Sequence, residues 1–362
     1  MFKKLSLLIM FFCFFSVLDA VEAKQLKKIV LSQENDIIIQ KASALIVPTD
    51  NRILVADSKA ANIKIFDMTG KRLGIFGRKG MGPNEFVRPL RLAYLEPFVA
   101  IMDYGRDMTF IYKYSGPSGF QFIRKFLTLQ GGYDICLLDD ANLLITGSKY
   151  DKKKRIHNLY RYNFIKNKYH YILPEDVSFG YTSAKKFEID NDNTFSLIGS
   201  RQCIDFSDDR FFMVWKGDLQ VIRVDRKTLN IKRFGKSSKH FVKPYVTPEI
   251  RQAYQRRDHR LLWKLDRPMS SVRKIFLTRT NKLGVIYLGP FKEDGSLPVR
   301  LQMYTADGQF LDDIDVMTAS AQSHNEIYCY FRKSDNHLYI LDTDTSEKFD
   351  QFYNLYEFMI KE

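Results

Sequence analysis

Two stretches gather cations densely enough to recognise an anion. Lys152-Lys153-Lys154-Arg155 is an unbroken basic tetrad, and between Lys149 and Lys168 eight Lys and Arg oppose Asp151 alone. Between Lys232 and Lys274 thirteen Lys and Arg stand against three acids, among them Arg251, Arg256, Arg257, Arg260 and Arg267, with Trp263 in their midst. The net charge is +14, so these two stretches carry the whole excess and the rest is slightly acidic. Clustered cations beside an aromatic ring suit a polyanion, if both stretches reach the same rim of the fold. The competing reading is a basic face that is merely solvated.

Other chemistry is poorly supported. His157, His170, His240, His259, His324 and His337 form neither an HExxH motif nor a pair four residues apart, and no GxSxG occurs. Gly77, Gly80 and Gly82 lack the spacing of a dinucleotide or P-loop phosphate cradle. They read instead as loop glycines that admit positive φ, with Pro83 stiffening the turn and Phe86 anchoring it. Asp57 and Asp103 close equivalent apolar runs, where a carboxylate satisfies turn amides.

The elements that must position these residues are strands. Arg52–Asp57, Asn62–Asp67 and Arg72–Phe76 are short apolar runs parted by Asp-Ser and Thr-Gly turns, the signature of antiparallel hairpins. Phe98–Asp103 repeats Arg52–Asp57 at a spacing of 46, and Asn142 follows at a further 44. A third unit adds Leu159–Phe164 and Tyr169–Leu173. The fourth holds strand-like residues Phe187–Gly199, then Arg210–Trp215, Gln220–Asp225 and Ile231–Gly235. The fifth runs Val272–Thr278 to Phe310–Ile314 with a hairpin at Asp307-Gly308, and the sixth Ile327–Phe331 to Phe352–Ile360. Lys27–Ala44 supplies an extra strand ahead of the first unit, expected to complete the last one and close a ring. Residues 236–269 interrupt the rhythm. Thr247 suits a cap, Pro248 the first helical position, and Ile250, Ala253, Tyr254, Leu261 and Leu265 one face of a single helix.

The run from Asp50 to Pro89, ending Phe76-Gly77-x-x-Gly80-x-Gly82-Pro83-x-Glu85-Phe86-x-x-Pro89, resembles an NHL repeat. It is more closely similar to the bacterial secreted six-bladed β-propellers. The resemblance covers about forty residues in one copy and implies an all-β, six-bladed β-propeller, into which residues 236–269 are read as a helical insertion between blades four and five. Proteins of this class act mostly as binding platforms. Six-bladed relatives also include metal-dependent lactonases and lyases, whose channel ion is held by Glu, Asn and Asp. For that alternative the resemblance offers Glu85, Asn142, Asp209 and Asn281 as ligands.

Lys3 and Lys4, the apolar run Leu5–Val17 and Val21-Glu22-Ala23 read as a secretory leader, residues 1–23, ahead of a propeller over 24–362. The run is too short to span a bilayer, and no later stretch is apolar enough. Export makes nucleic acid an unlikely partner and leaves acidic proteins, glycans, lipopolysaccharide or lipid headgroups. Cys136, Cys203 and Cys329 are odd in number, widely spaced and without CxxC, so they read as small strand residues, with one bridge as the alternative. The expected function is a non-catalytic binding or scaffold protein of the cell envelope without a cofactor. The alternative is a lactonase-like lyase or hydrolase with a divalent cation in the channel.

Overall fold

The computed structural model describes residues 20–32, 38–116, 119–128, 134–150, 156–174, 202–215, 217–245, 247–320, 326–344 and 352–362. Within them the chain forms six four-stranded antiparallel sheets. After β1 (Glu22–Val30), blade one is β2 (Ala42–Ile46), β3 (Arg52–Asp57), β4 (Asn62–Asp67) and β5 (Arg72–Phe76). A two-residue ladder, β6 (Arg78–Lys79) with β7 (Glu85–Phe86), leads to blade two: β8 (Pro89–Leu95), β9 (Phe98–Asp103), β10 (Met108–Tyr114) and β11 (Phe120–Leu127). Blade three is β12 (Asp134–Leu137), β13 (Asn142–Tyr150), β14 (Ile156–Asn163) and β15 (Lys168–Pro174). Blade four is β16 (Gln202–Phe206), β17 (Arg210–Trp215), β18 (Val221–Asp225) and β19 (Ile231–Phe234). Blade five is β20 (Ser271–Leu277), β21 (Leu283–Leu288), β22 (Leu297–Tyr304) and β23 (Phe310–Ala319). The last sheet joins β24 (Tyr328–Arg332), β25 (His337–Asp344) and β26 (Phe352–Lys361) to β1.

Period-two side-chain alternation packs each blade against both neighbours. In β3, Ile53 and Val55 enter the cluster shared with blade six, while Leu54 and Ala56 enter the one shared with blade two. All four are fully buried, which is why the middle strand reads as an unbroken apolar run. Six such clusters occur, one for each pair of neighbouring blades.

The first strand closes the ring, but it runs from Glu22 to Val30: it begins inside the residues read as a leader, and the end of the Lys27–Ala44 stretch instead enters β2, the inner strand of blade one. β1 pairs with β26 from Glu22↔Lys361 to Val30↔Asn354. Gly70 receives it: its carbonyl accepts from Ser32 N at 2.9 Å, and a Cβ there would lie 2.1 Å from Val30 O, with φ at +87°. Only glycine fits.

The Asp turns do what was expected of them. Asp57 is fully buried and accepts from the backbone amides of Gln40, Lys41, Lys59 and Ala60, and Asp103 from those of Val87, Arg88 and Gly105. The glycine loop is closed around a side chain rather than open to a phosphate. The Glu85 carboxylate accepts from Gly82 N at 2.6 Å and Arg78 Nε at 2.8 Å, and a Cβ on Gly80 would strike it at 2.2 Å.

Two further expectations need correction. The insertion holds two helices, α1 (Pro248–Gln255) and α2 (His259–Asp266), instead of one. The chain breaks at Arg257, with φ at +56°, and Asp258 caps α2 through Leu261 N at 2.9 Å. The inner strands β12 and β16 escaped the sequence reading, and residues 187–199, taken as strand-like, lie outside the described residues. Cys136 and Cys329 agree with the favoured reading: they lie on the inner strands β12 and β24 and take part in no disulfide.

Candidate binding sites at the basic rim and in the central channel

Local chemistry fixes the insertion on blade five. The Thr247 hydroxyl accepts from Ile250 N at 3.2 Å, and Ile250 and Ala253 are buried. Lys236 N donates to the Tyr304 hydroxyl, and the Ser238 and Tyr287 hydroxyls lie 3.0 Å apart. Behind them Asp313 accepts from Tyr287 Oη and Arg300 Nε. Burial pulls the Asp313 carboxyl upward, but bonds from Ser238, Gln302 and Tyr287 and the charge of Arg300 prevail and hold it below its ordinary range. At the far end Val242 N donates to Ser270 Oγ, and the Arg267 guanidinium lies 4.8 Å from the Phe291 ring centre.

That anchoring leaves Arg256, Arg257, Arg260 and Lys264 exposed, with Arg251 half-buried and Arg267 exposed over Phe291. Leu261, assigned to the docked face of one long helix, is 39% exposed because the break at Arg257 turns it outward. The side chain of Trp263 and residues Lys152, Lys153, Lys154 and Arg155 lie outside the described residues. Their flanking strands, β13 and β14, are the second and third of a blade. In an up-and-down blade the ends they share open on the same face as a connection from one blade to the next, such as the insertion.

The six inner strands surround a cavity of about 980 Å3 on the axis. Its wall carries Arg91 from β8, Asp134 and Cys136 from β12, Asp205 from β16, Arg273 and Lys274 from β20, and Tyr328 and Tyr330 from β24. Irregular pairing in β2, β8 and β20, between Ala42 and Ala44, Pro89 and Arg91, and Val272 and Lys274, places Ser43, Leu90 and Arg273 as extra residues. Polar wall groups also stitch neighbouring blades together. Tyr328 Oη donates to Ala42 O at 2.7 Å, Ser43 Oγ to Pro89 O at 2.7 Å, and Ile204 N to Asp134 Oδ2 at 3.3 Å. Leu277 N donates to Asp205 Oδ2 at 2.8 Å, and Phe206 N to the other Asp205 oxygen. Burial pushes the Asp205 carboxyl up, and burial with the charge of Asp205 pushes the Cys136 thiol well up, so Cys136 is no ready thiolate.

The four residues offered as ligands for a divalent ion do not converge. None of them lines the cavity. Glu85 is spent in its loop, Asn142 donates to Asp139, Asp209 pairs with Arg210 at 3.2 Å, and Asn281 accepts from Lys333 in a turn at φ +62°. Among the described residues no three His, Cys, Asp or Glu side chains come together. The channel cations were missed by sequence reasoning. Their signal was charge inside an inner strand, Arg91 in PLRLAYL and Arg273-Lys274 in SVRKIFL.

A closed ring of six blades around an axial cavity, with one end joined to the other in a shared sheet, defines a six-bladed β-propeller. Residues 21–256 match the DUF5128 family, described as a 6-bladed beta-propeller, and the chain belongs to that family. No curated protein matches it in sequence. Among solved structures it is similar to a DUF4221 family member from Bacteroides vulgatus, with a TM-score of 0.64 at 12% identity over 95% of this chain and 99% of that one. It is also similar to a Bacteroides fragilis protein described as a candidate exported protein, with a TM-score of 0.56 at 15% identity over 96% and 97%. At these identities the likeness is one of fold.

Proposed function

We propose that this propeller is an exported, non-catalytic binding protein of the cell envelope that holds an acidic partner on its basic rim. The observation that carries the reading is the insertion: its apolar residues Ile250 and Ala253 are docked, while Arg256, Arg257 and Arg260 stand exposed around the helix break. Cations on an anchored element lose little freedom when they bind, so they add attraction without a large ordering cost. The tetrad Lys152–Arg155 would extend the same field. Export is supported by the leader-like residues 1–23 and by the description of the Bacteroides fragilis relative. No described helix is long and apolar enough to cross a membrane.

The test compares the protein with an Arg256→Gln/Arg257→Gln/Arg260→Gln variant on acidic peptides, lipopolysaccharide and anionic vesicles. Binding is expected to weaken as salt rises from about 50 to about 300 mM, and to fall at least about tenfold in the variant. Unchanged binding in the variant would remove the rim from consideration.

A further inference from the structure

We propose that the insertion end of the propeller lies on an anionic phospholipid surface, with Met81 and Leu261 entering the headgroup layer. This rests on the basic-rim reading above and names its partner. The two ends of the ring differ sharply. Each blade's first strand begins at the insertion end, so the six turns joining first to second strands lie at the other. These turns, 47–51, 96–97, 138–141, 207–209, 278–282 and 333–336, hold seven acids against Arg279, Lys282 and Lys333. No large apolar side chain in them is exposed. Ile165 and Leu229 are exposed at that end, but in turns nearer the outside of the ring.

The insertion end is the reverse. Residues 236–269 hold nine Lys and Arg against three acids, and the 77–88 loop holds Arg78, Lys79 and Arg88 against Glu85. Glu85 is engaged in its own loop, Asp258 caps α2, and Asp218 pairs with Lys243 at 3.0 Å. Among these cations Met81, Tyr104, Tyr245 and Leu261 are exposed, Met81 at 67%. Single exposed apolar side chains are ordinary. The Met81 loop, however, is held firmly. The Arg106 guanidinium donates to the carbonyl oxygens of Met81 and Glu85 at 2.9 and 2.8 Å and lies 5.0 Å from the Phe110 ring centre. A methionine on so fixed a tip loses little freedom on insertion.

Position selects the partner. Met81 belongs to the connection into blade two and Leu261 to the connection into blade five, and these blades face each other across the ring. Two apolar points so far apart do not form the contiguous core of a protein interface. A fluid anionic bilayer accepts separate insertions within one field of cations. The acidic turns at the other end would then face away from the lipid.

Flotation with phosphatidylcholine vesicles, pure or with about one-quarter phosphatidylglycerol, tests this. The anionic vesicles should bind at least about tenfold more tightly than the neutral ones, and a Met81→Ser/Leu261→Ser variant should lose at least about tenfold in affinity for them. Leu229→Ser, at the other end, should bind as the parent does. In the unaltered protein, hydrogen exchange on these vesicles should slow at residues 79–83 and 256–262. Equal binding to neutral vesicles, full binding by the double variant, an equal loss in Leu229→Ser, or slowed exchange in the acidic turns instead overturns the proposal. Acidic-peptide binding that weakens in the rim triple variant, with no binding to vesicles, overturns it and leaves the rim reading standing. A triple variant that binds both vesicles and peptides as the parent does removes both.

Discussion

Arg332 shows how one side chain can carry a blade junction. It lies on the inner strand of blade six, is 8% exposed, and donates to Asn51 Oδ1 at 2.8 Å and Pro48 O at 3.2 Å in the first turn of blade one. Asp335 holds it from its own blade at 2.6 Å, and the Tyr339 ring lies beneath. Arg332→Met removes the bonds to Pro48 and Asn51 together with the pair to a partly exposed Asp335, so it should cost about 2 kcal/mol, read as a lowered urea midpoint. Arg332→Lys should recover little, since lysine cannot fork between two blades. Asp313 gives the acid limb its direction. Its folded pKa lies below the ordinary 3.8, so its contribution is present above that value and is lost as pH falls through the folded pKa. Asp313→Asn should flatten the loss of stability with pH below about 4 in acid titrations. At this scale the sequence was readable where a residue serves its own turn. Asp57 and Asp103 could be assigned to turn amides because Lys59, Ala60 and Gly105 follow within three residues, whereas Gln40, Lys41, Val87 and Arg88, which also donate to them, lie 15 to 17 residues away and were not foreseen. Arg91, Arg273 and Tyr328 could not be placed on one cavity, because they meet only when blades two, five and six are arranged around the axis.

The insertion poses the corresponding question for elements. Its apolar spacing favoured one helix, yet Arg257 adopts the left-handed conformation and Asp258 restarts the chain with a new cap. Arg257→Gly should therefore raise stability by about 0.5–1 kcal/mol, and Asp258→Ala should lower it by about 1 kcal/mol, both measurable by thermal unfolding. β3, β4 and β5 of blade one coincide with the sequence reading at every boundary, because Asp-Ser and Thr-Gly turns punctuate them. β12 and β16 were illegible for the opposite reason: four and five residues long, they lack that punctuation and take their apolar surroundings from neighbouring blades. β1 bears on the leader. Val21 is 8% exposed in the junction of blades five and six, and Glu22 and Ala23 pair with Lys361 and Ile360. Cleavage after Ala23 would remove all three, whereas cleavage after Ala20 keeps them. N-terminal sequencing of the exported protein should therefore begin at Val21; a start at Lys24 would show that the closing strand works without them.

For the whole molecule, the ring makes six weak interfaces into one cooperative body. Each blade alone has two open apolar faces, so stability resides between blades and is lost collectively. The helical insertion lies on the face where the inner strands begin.

The pairing of Glu22 with Lys361 joins residues 339 positions apart, and it sets an order of events. A chain synthesised from its N-terminus delivers β1 first, but its partner β26 arrives last. Until then β1 waits with an open edge and blade six is unfinished, so the protein remains an incomplete arc until synthesis is nearly complete. Loss of only the final eleven residues, which include the whole of β26, would leave both ends of that arc unjoined.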